Sequence, residues 1–489
     1  MDDLKRRGVI ELVPPPENAK ALPCRCVFDR KRDNAGNILR HRARVVAKGF
    51  KQKFGIDFVE IFAPVVRYTT VRIVFAMITE YMWVIIRIDV RRAFLYGKLE
   101  EIIFMEQPDG FVVVGKENWV YRLWISIYGL KQSPRSWRKE LVRILTEIGA
   151  EVSKADPALF TVKRGSTFII IIVYVDDLLF TGNNESQIRS FIERIGKRLE
   201  IRVEPEESKF VGFSIDRNIE KGTIRLHNAL MITEILDKFG MSECKSVSTP
   251  MEHNIMMGDG GPLTTKPYRE LVGALLYLAT TCRPDIAYAT FFLSRFMDKA
   301  TDTHWSAAQR VLRYLKGTKE YGLVYRKGSQ QLIGYSDSDF AGDVNDRKST
   351  SGFIFLLNGA AISWHSKKQT VVAQSTTEAE YVAMSFAVRE AIWLKSIILE
   401  LGYNVTFITS GINILTDNNQ VISLSKDEIL SEKSKHIDVK YHLVRDHALG
   451  RTIILSHVST DEMVADTMTK PLLHVKFSKF RNMMAVLHR

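Results

Sequence analysis

The chain has 489 residues, 46% hydrophobic and 26% charged, with a formal net charge of +13. That describes a globular chain of about two to four domains with polyanionic partners, nucleic acid ahead of an anionic membrane surface, and excludes a disordered or collagen-like polymer. Four scattered cysteines, Cys24, Cys26, Cys244 and Cys282, are too few for a disulfide framework or a four-thiolate zinc site. With no apolar signal core in Met1-Asp-Asp-Leu-Lys-Arg-Arg7 and no run of about 18 apolar residues, the expectation is an intracellular protein, cytoplasmic or nuclear, neither secreted nor membrane-spanning.

In chain order, residues 1 to about 30 read as an extended lead-in punctuated by Pro14-Pro-Pro16 and Pro23. Arg25 to Lys53 is rich in Lys and Arg, and Asn34-Ala35-Gly36 marks a turn between two strands; alone, it reads equally well as a solvated edge hairpin. From Pro64 to Met82 an amphipathic helical pattern runs through Val71, Val74, Phe75 and Ile78 and is expected to back a sheet. The apolar strand from Val84 then runs into a lone acid, Asp89, with Phe94 five residues on. Tyr128-Gly-Leu-Lys-Gln-Ser-Pro134 is a loop feeding a helix that carries Trp137, Leu141, Ile144 and Leu145. The stretch from Phe168 to Phe180 is two strand-like apolar runs with Asp176 and Asp177 at their joint, the pattern of a hairpin with acid at its tip. Adjacent carboxylates repel and are costly to desolvate, so a cation there competes with a solvated turn as the explanation. Asp89 shifts the balance: two strand ends offering carboxylates to one point is what phosphoryl transfer by two Mg²⁺ ions requires.

Tyr174-Val-Asp-Asp177 with Asp89, Ala47-Lys-Gly-Phe50 and Tyr128-Gly-Leu-Lys-Gln-Ser-Pro134 resembles the reverse transcriptase of copia-type LTR retrotransposons, and the similarity runs through almost the whole chain. The resemblance implies a right-hand polymerase of fingers, palm and thumb, with Asp89, Asp176 and Asp177 as catalytic, metal-binding acids. It implies a nucleotide site of Arg44 and Lys48 as a phosphate clamp, Phe94 below the sugar (a core aromatic is the equal alternative), and Tyr128, Gly129 and Lys131 under the templating base pair. Lys51 and Lys53 read as general template contacts. Arg92, Tyr96 and the stretch Glu204 to Lys209 depart from the family pattern.

Further on, Glu185 to Leu199 reads as a helix and Phe210 to Ile215 alternates as a strand does. Ser248-Thr-Pro250 and Gly258-Asp-Gly-Gly-Pro262 mark a linker, followed by helices over Tyr268 to Thr280, Ile286 to Phe296 and Trp305 to Leu315. From about residue 329 the pattern becomes three strands, helix, strand, helix, with Asp337 ending the first strand and Asp417 the fourth. Glu380 shares an apolar helix face with Ala383, Met384, Ala387 and Ala391, where a carboxylate needs a partner such as a metal, while Glu378 faces away. Asp466 lies on a late helix and Asp339 is a weaker candidate; His457, in the loop before Asp466, reads as an exposed or core histidine ahead of a proton shuttle, and His436 has no assigned chemistry. Singly each acid reads as a surface residue. Their order, with Ser375-Thr-Thr-Glu-Ala-Glu-Tyr381 and Ala465-Asp-x-x-Thr-Lys-Pro471, resembles the RNase H domain that follows copia-type polymerases, and the resemblance implies Asp337, Glu380, Asp417 and Asp466 as four catalytic, metal-binding acids.

The resulting expectation is an α+β and α/β multidomain chain: polymerase over 1–245, linker and helical connection over 246–328, RNase H-like domain over 329–475, and a tail over 476–489. Its partners would be RNA template, DNA primer, RNA–DNA hybrid and deoxynucleoside triphosphates, with no membrane, and either a homodimer or other retrotransposon proteins as associates. Its cofactor would be Mg²⁺, two per site, with Mn²⁺ an alternative. With no zinc knuckle, aspartic-protease motif or integrase acids in view, the chain reads as the C-terminal part of a Pol polyprotein or a truncated copy. The competing expectation is an inactive or domesticated remnant that binds nucleic acid without catalysis.

Overall fold

A computed structural model describes residues 1–17, 20–32, 38–205, 209–253, 255, 257–258, 260–328, 331–403, 411–426 and 438–488. The chain divides into two compact units, the first from 1–66, 86–153 and 157–204, the second from 67–85, 154–156 and 205–489. The expected turn at Asn34-Ala35-Gly36, His436 and part of the 204–209 departure lie outside the described residues.

The first unit is built on a six-stranded sheet in the order Ile201–Glu204, Val84–Val90, Asp177–Gly182, Thr167–Tyr174, Leu159–Arg164, Glu151–Val152. Ile169 to Val173 are buried on both faces of the fourth strand, as an unbroken β-branched run demands. Helix Ser133–Glu147 starts with Pro134 in its first turn, where no N–H is missed, and buries Trp137, Leu141, Ile144 and Leu145. The basic strands Cys24–Arg32 and Ile38–Ala47 pair antiparallel in a sheet of their own.

The second unit contains helix Tyr68–Tyr81, expected to be amphipathic. It is buried all round from Thr70 to Glu80, and its charged groups find partners: Arg72 donates to the carbonyls of Thr280 and Thr281 and lies 3.8 Å from the Trp364 ring centroid, and Glu80 accepts from the Gly328 N–H at 3.0 Å. Asp156 accepts from the Arg67 N–H at 3.1 Å and the Thr70 hydroxyl at 2.6 Å, which explains why 154–156 travel with this unit. Helices Tyr268–Thr281, Ala287–Ser294 and Asp302–Gly317 form where expected, around a fully buried Arg283 paired with Asp285 at 2.7 Å and bonded to Thr318.

Residues 205–245, grouped from sequence with the polymerase, lie in this second unit. Strands Ser214–Asn218 and Thr223–His227 pair in turn with Gly322–Arg326 and Val486–Leu487, so the presumed tail contributes a strand. The strand expected from Phe210 starts only at Ser214, because Val211 and Gly212 both take positive φ and Phe210 and Phe213 exchange backbone hydrogen bonds across a turn. Thr249, Pro250, Met251 and Met257 of the expected linker are buried.

A five-stranded sheet completes the unit, in the order Ala360–Lys368, Thr350–Leu357, Leu332–Ser338, Ile412–Thr416, Ile453–His457. The first three strands are antiparallel and the last two run parallel to Leu332–Ser338, with helix Thr376–Glu400 crossing between. Among the described residues no helix is long and apolar enough to cross a membrane.

Candidate active sites

The first acid set is positioned by two neighbouring strands. Asp177 faces Tyr174 across the hairpin, leaving Val175 and Asp176 as the two-residue turn, with Val175 at φ 56°. That left-handed valine is strained and needs outside support. The Trp137 indole supplies it by donating to the Val175 carbonyl at 2.7 Å, and the Val90 N–H bonds the Asp176 carbonyl at 2.9 Å, tying the turn to the strand that carries Asp89.

All three acids are half-buried. Burial raises the Asp176 carboxyl, with a further push from Asp89; burial raises Asp177 to about 6, with Arg87 opposing and Asp176, Asp89 and Glu204 adding to the rise. Arg87 is a residue that the sequence reading missed. It is buried, lies 3.8 Å from Asp177, and stands opposite Glu204 in the pairing of the edge strand. Its signal was available: an arginine two positions before Asp89 in an apolar strand shares that residue's face.

Of the nucleotide-site candidates, Arg44, Tyr128 and Phe94 come together. The Arg44 guanidinium lies 5.5 Å from the Tyr128 ring centroid, and the Phe94 ring is 5.0 Å from the same ring, edge to face. Burial raises the Tyr128 hydroxyl, and the charges of Asp176 and Asp89 raise it too, so this cluster borders the acids. Gly129, at φ 96°, is where the loop crosses the backbone of residues 47–49: a Cβ would stand 2.1 Å from the Ala47 carbonyl oxygen, and the Ala47 N–H bonds the Tyr128 carbonyl at 2.9 Å. Lys131 is turned elsewhere, its ammonium 4.6 Å from the Phe58 ring and 3.4 Å from the Gln52 carbonyl. The backbone of Lys48 is bonded through its N–H to the Pro23 carbonyl and through its carbonyl to the Lys51 N–H, and its charge acts on Cys24.

The two departures near Asp89 are woven into their surroundings. Arg92, at φ 58°, pairs with Asp3 at 3.2 Å and Glu200 at 3.6 Å, and the Tyr96 hydroxyl accepts from the Glu200 N–H at 2.9 Å.

In the second set, the parallel register Ile333↔Asn413 to Tyr335↔Leu415, continued two residues, sets Asp337 level with Asp417. Glu380 arrives from the first turns of helix Thr376–Glu400. Ser375 caps that helix by accepting from the Glu378 N–H, while Glu378 accepts from the Gln374 N–H at 2.8 Å, so Glu378 serves the helix start. Asp337, Glu380 and Asp417 hold oxygens all within 4.8 Å of one another, and among the described residues they are the one such acid group. Asp337 is 2% exposed and Glu380 8%. Burial pushes Asp337 up to about 7, against Lys470 and with Asp466; burial, then Asp337 and Asp417, push Glu380 well above its usual range. Hard oxygen donors that repel one another in a buried place fit a divalent cation of the Mg²⁺ or Mn²⁺ kind.

Asp466 stands outside that triad. It is fully buried in the short 3-10 helix Val464–Met468 and ion-paired with lysines. Asp339 accepts from the Thr350 N–H, and burial raises it to about 6. His457 ends its strand exposed.

A family model described as reverse transcriptase (RNA-dependent DNA polymerase) matches residues 7–253. The Retrovirus-related Pol polyprotein from transposon TNT 1-94 of Nicotiana tabacum is 37% identical over 488 residues, covering 98% of this chain and 36% of that protein. The corresponding polyprotein from transposon RE2 of Arabidopsis thaliana is 38% identical over 479 residues, 97% of this chain and 32% of the relative. The chain thus spans about a third of the length of these curated relatives. Among solved structures, a foamy viral protease-reverse transcriptase in complex with double-stranded DNA is similar at a TM-score of 0.50 and 16% identity, over 94% of this chain and 68% of that one.

Proposed function

The chain belongs to the reverse transcriptase (RNA-dependent DNA polymerase) family, and from that premise we propose that it is the polymerase and RNase H portion of a copia-type Pol polyprotein. In this reading it extends a DNA primer on RNA or DNA with deoxynucleoside triphosphates and cuts the RNA strand of the hybrid. Residues 1–245 act as fingers, palm and thumb, 246–328 as linker and connection, 329–475 as the nuclease, and 476–489 as a C-terminal tail whose strand Val486–Leu487 pairs with Gly322–Leu323.

The observation that carries the proposal is two acid sets: Asp89, Asp176 and Asp177 on neighbouring strands, near enough for their charges to act on one another, and Asp337, Glu380 and Asp417 with their oxygens converging. Divalent ions held there would activate the attacking oxygen and stabilise the pentacovalent phosphate. The chain's own groups do the rest. Arg44, beside Tyr128, and Lys48 bind the triphosphate; Phe94 excludes a 2′-hydroxyl by size; Gly129 and Lys131 shape the loop under the templating pair; Arg87 steadies Asp177 in its ionised form. The integration of Arg92 and Tyr96 into ion pairs and hydrogen bonds argues for a maintained enzyme over a decayed remnant.

The test is Mg²⁺-dependent primer extension on poly(rA) together with cleavage of a labelled hybrid. Asp176→Asn is expected to abolish extension and spare cleavage, and Glu380→Gln to do the reverse. Extension undiminished in the first variant removes the polymerase assignment, and cleavage undiminished in the second removes the nuclease site.

A further inference from the structure

The fourth acid of the second set has its charge already met. Lys470 and Lys476 place their ammonium groups 2.6 and 2.7 Å from the two carboxylate oxygens of Asp466, which is fully buried. Lys470 also stands 3.8 Å from Asp337, so one ammonium spans Asp337 and Asp466. Its placement is built in. The Lys470 N–H bonds the Asp466 carbonyl at 3.2 Å, Thr469 donates its hydroxyl to Asp337, and the following Pro471 restricts the Lys470 backbone.

We infer that Lys470 takes the place of a second divalent ion in the nuclease site, leaving one ion for Asp337, Glu380 and Asp417. An ion bridging the buried carboxylates of Asp337 and Asp466 would meet an ammonium within 4 Å of both, and like charges that close repel even though the Lys470 side chain is itself 41% exposed. Asp466 has an ammonium against each carboxylate oxygen, although its buried Oδ1 makes no aligned hydrogen bond. Its work is to hold Lys470, making it a positioning residue, and the fixed cation supplies positive charge beside the triad at any Mg²⁺ concentration. This inference rests on the nuclease reading above.

The test counts ions. In the full chain carrying Asp89→Asn and Asp176→Asn, which quiet the first acid set, Mn²⁺ is titrated by calorimetry and by the resonance signal of free Mn²⁺. One bound ion is expected, lost in Glu380→Gln, kept at one in Lys470→Arg and raised to two in Lys470→Met. Two ions in the parent, or one in a folded Lys470→Met, overturns the inference. An ion count untouched by Glu380→Gln instead sinks the nuclease site itself. A second measurement needs no variant: hybrid cleavage by the unaltered chain should rise with the first power of Mg²⁺ below saturation, and a second-power dependence overturns the inference equally.

Discussion

Arg87 favours the ionised form of Asp177, against burial, Asp176, Asp89 and Glu204, which all favour the protonated acid. Replacing it with methionine keeps the bulk and removes the charge. Arg87→Met is therefore expected to move the acidic limb of the extension rate to higher pH, lowering the rate about twofold near pH 7 and about tenfold below pH 5 for a rise of about one unit in pKa; a pH–rate profile matching the parent's would exclude this role. Asp337 makes the parallel case in the second acid set, the proposed nuclease site. Its carboxyl rises from 3.8 to about 7 on folding, so the folded state holds the extra proton between those values. Without metal, the stability attached to that proton is present below pH 3.8 and is lost as pH rises through about 7. Melting temperatures across this range should fall less steeply in Asp337→Asn than in the parent, and Mg²⁺ should recover more stability at pH 8 than at pH 5. Equal slopes in parent and variant would count against the shift.

At the level of elements, two small features carry the sites. Gly129 allows the 128–130 loop to cross residues 47–49 where a side chain would strike the Ala47 carbonyl. Gly129→Ala should displace Tyr128 and raise KM for the nucleotide while leaving hybrid cleavage intact, and an unchanged KM would show the crossing to be dispensable. Ser375 caps the helix that delivers Glu380, and Ser375→Ala should cost about 1 kcal/mol, read as a lower melting temperature together with weaker cleavage. The hairpin with acid at its tip was legible because five β-branched residues in a row followed by two acids have few other solutions, and Glu380 was legible because helical spacing puts it on an apolar face. The face that Arg87 shares with Asp89 was legible too, but its pairing with Asp177 and the approach of Lys470 to Asp337 were not, because both partners lie far off in sequence. Helix Tyr68–Tyr81 misled for a related reason: periodicity records a polar face only where one faces water, and Thr70, Arg72, Thr79 and Glu80 are buried among partners.

For the molecule as a whole, the net charge of +13 makes affinity for a primer–template duplex a question of counterion release. Six phosphate contacts would give a slope near −5 in log affinity against log salt, from about −0.9 per contact on duplex. A filter-binding series between 50 and 200 mM salt that stayed flat would place the excess lysines and arginines away from nucleic acid.

The chain passes between its two units five times, and Val486–Leu487 pairs with Gly322–Leu323, whose other neighbour is Thr223–His227. A ribosome therefore has to travel beyond residue 487 before that sheet can close, so newly made chain waits with an unsatisfied edge, a span in which chaperone capture or misassembly competes with folding. Premature stop codons even a few triplets upstream of 486 should yield a product cleared by proteases, although every acid in both sites would still be encoded.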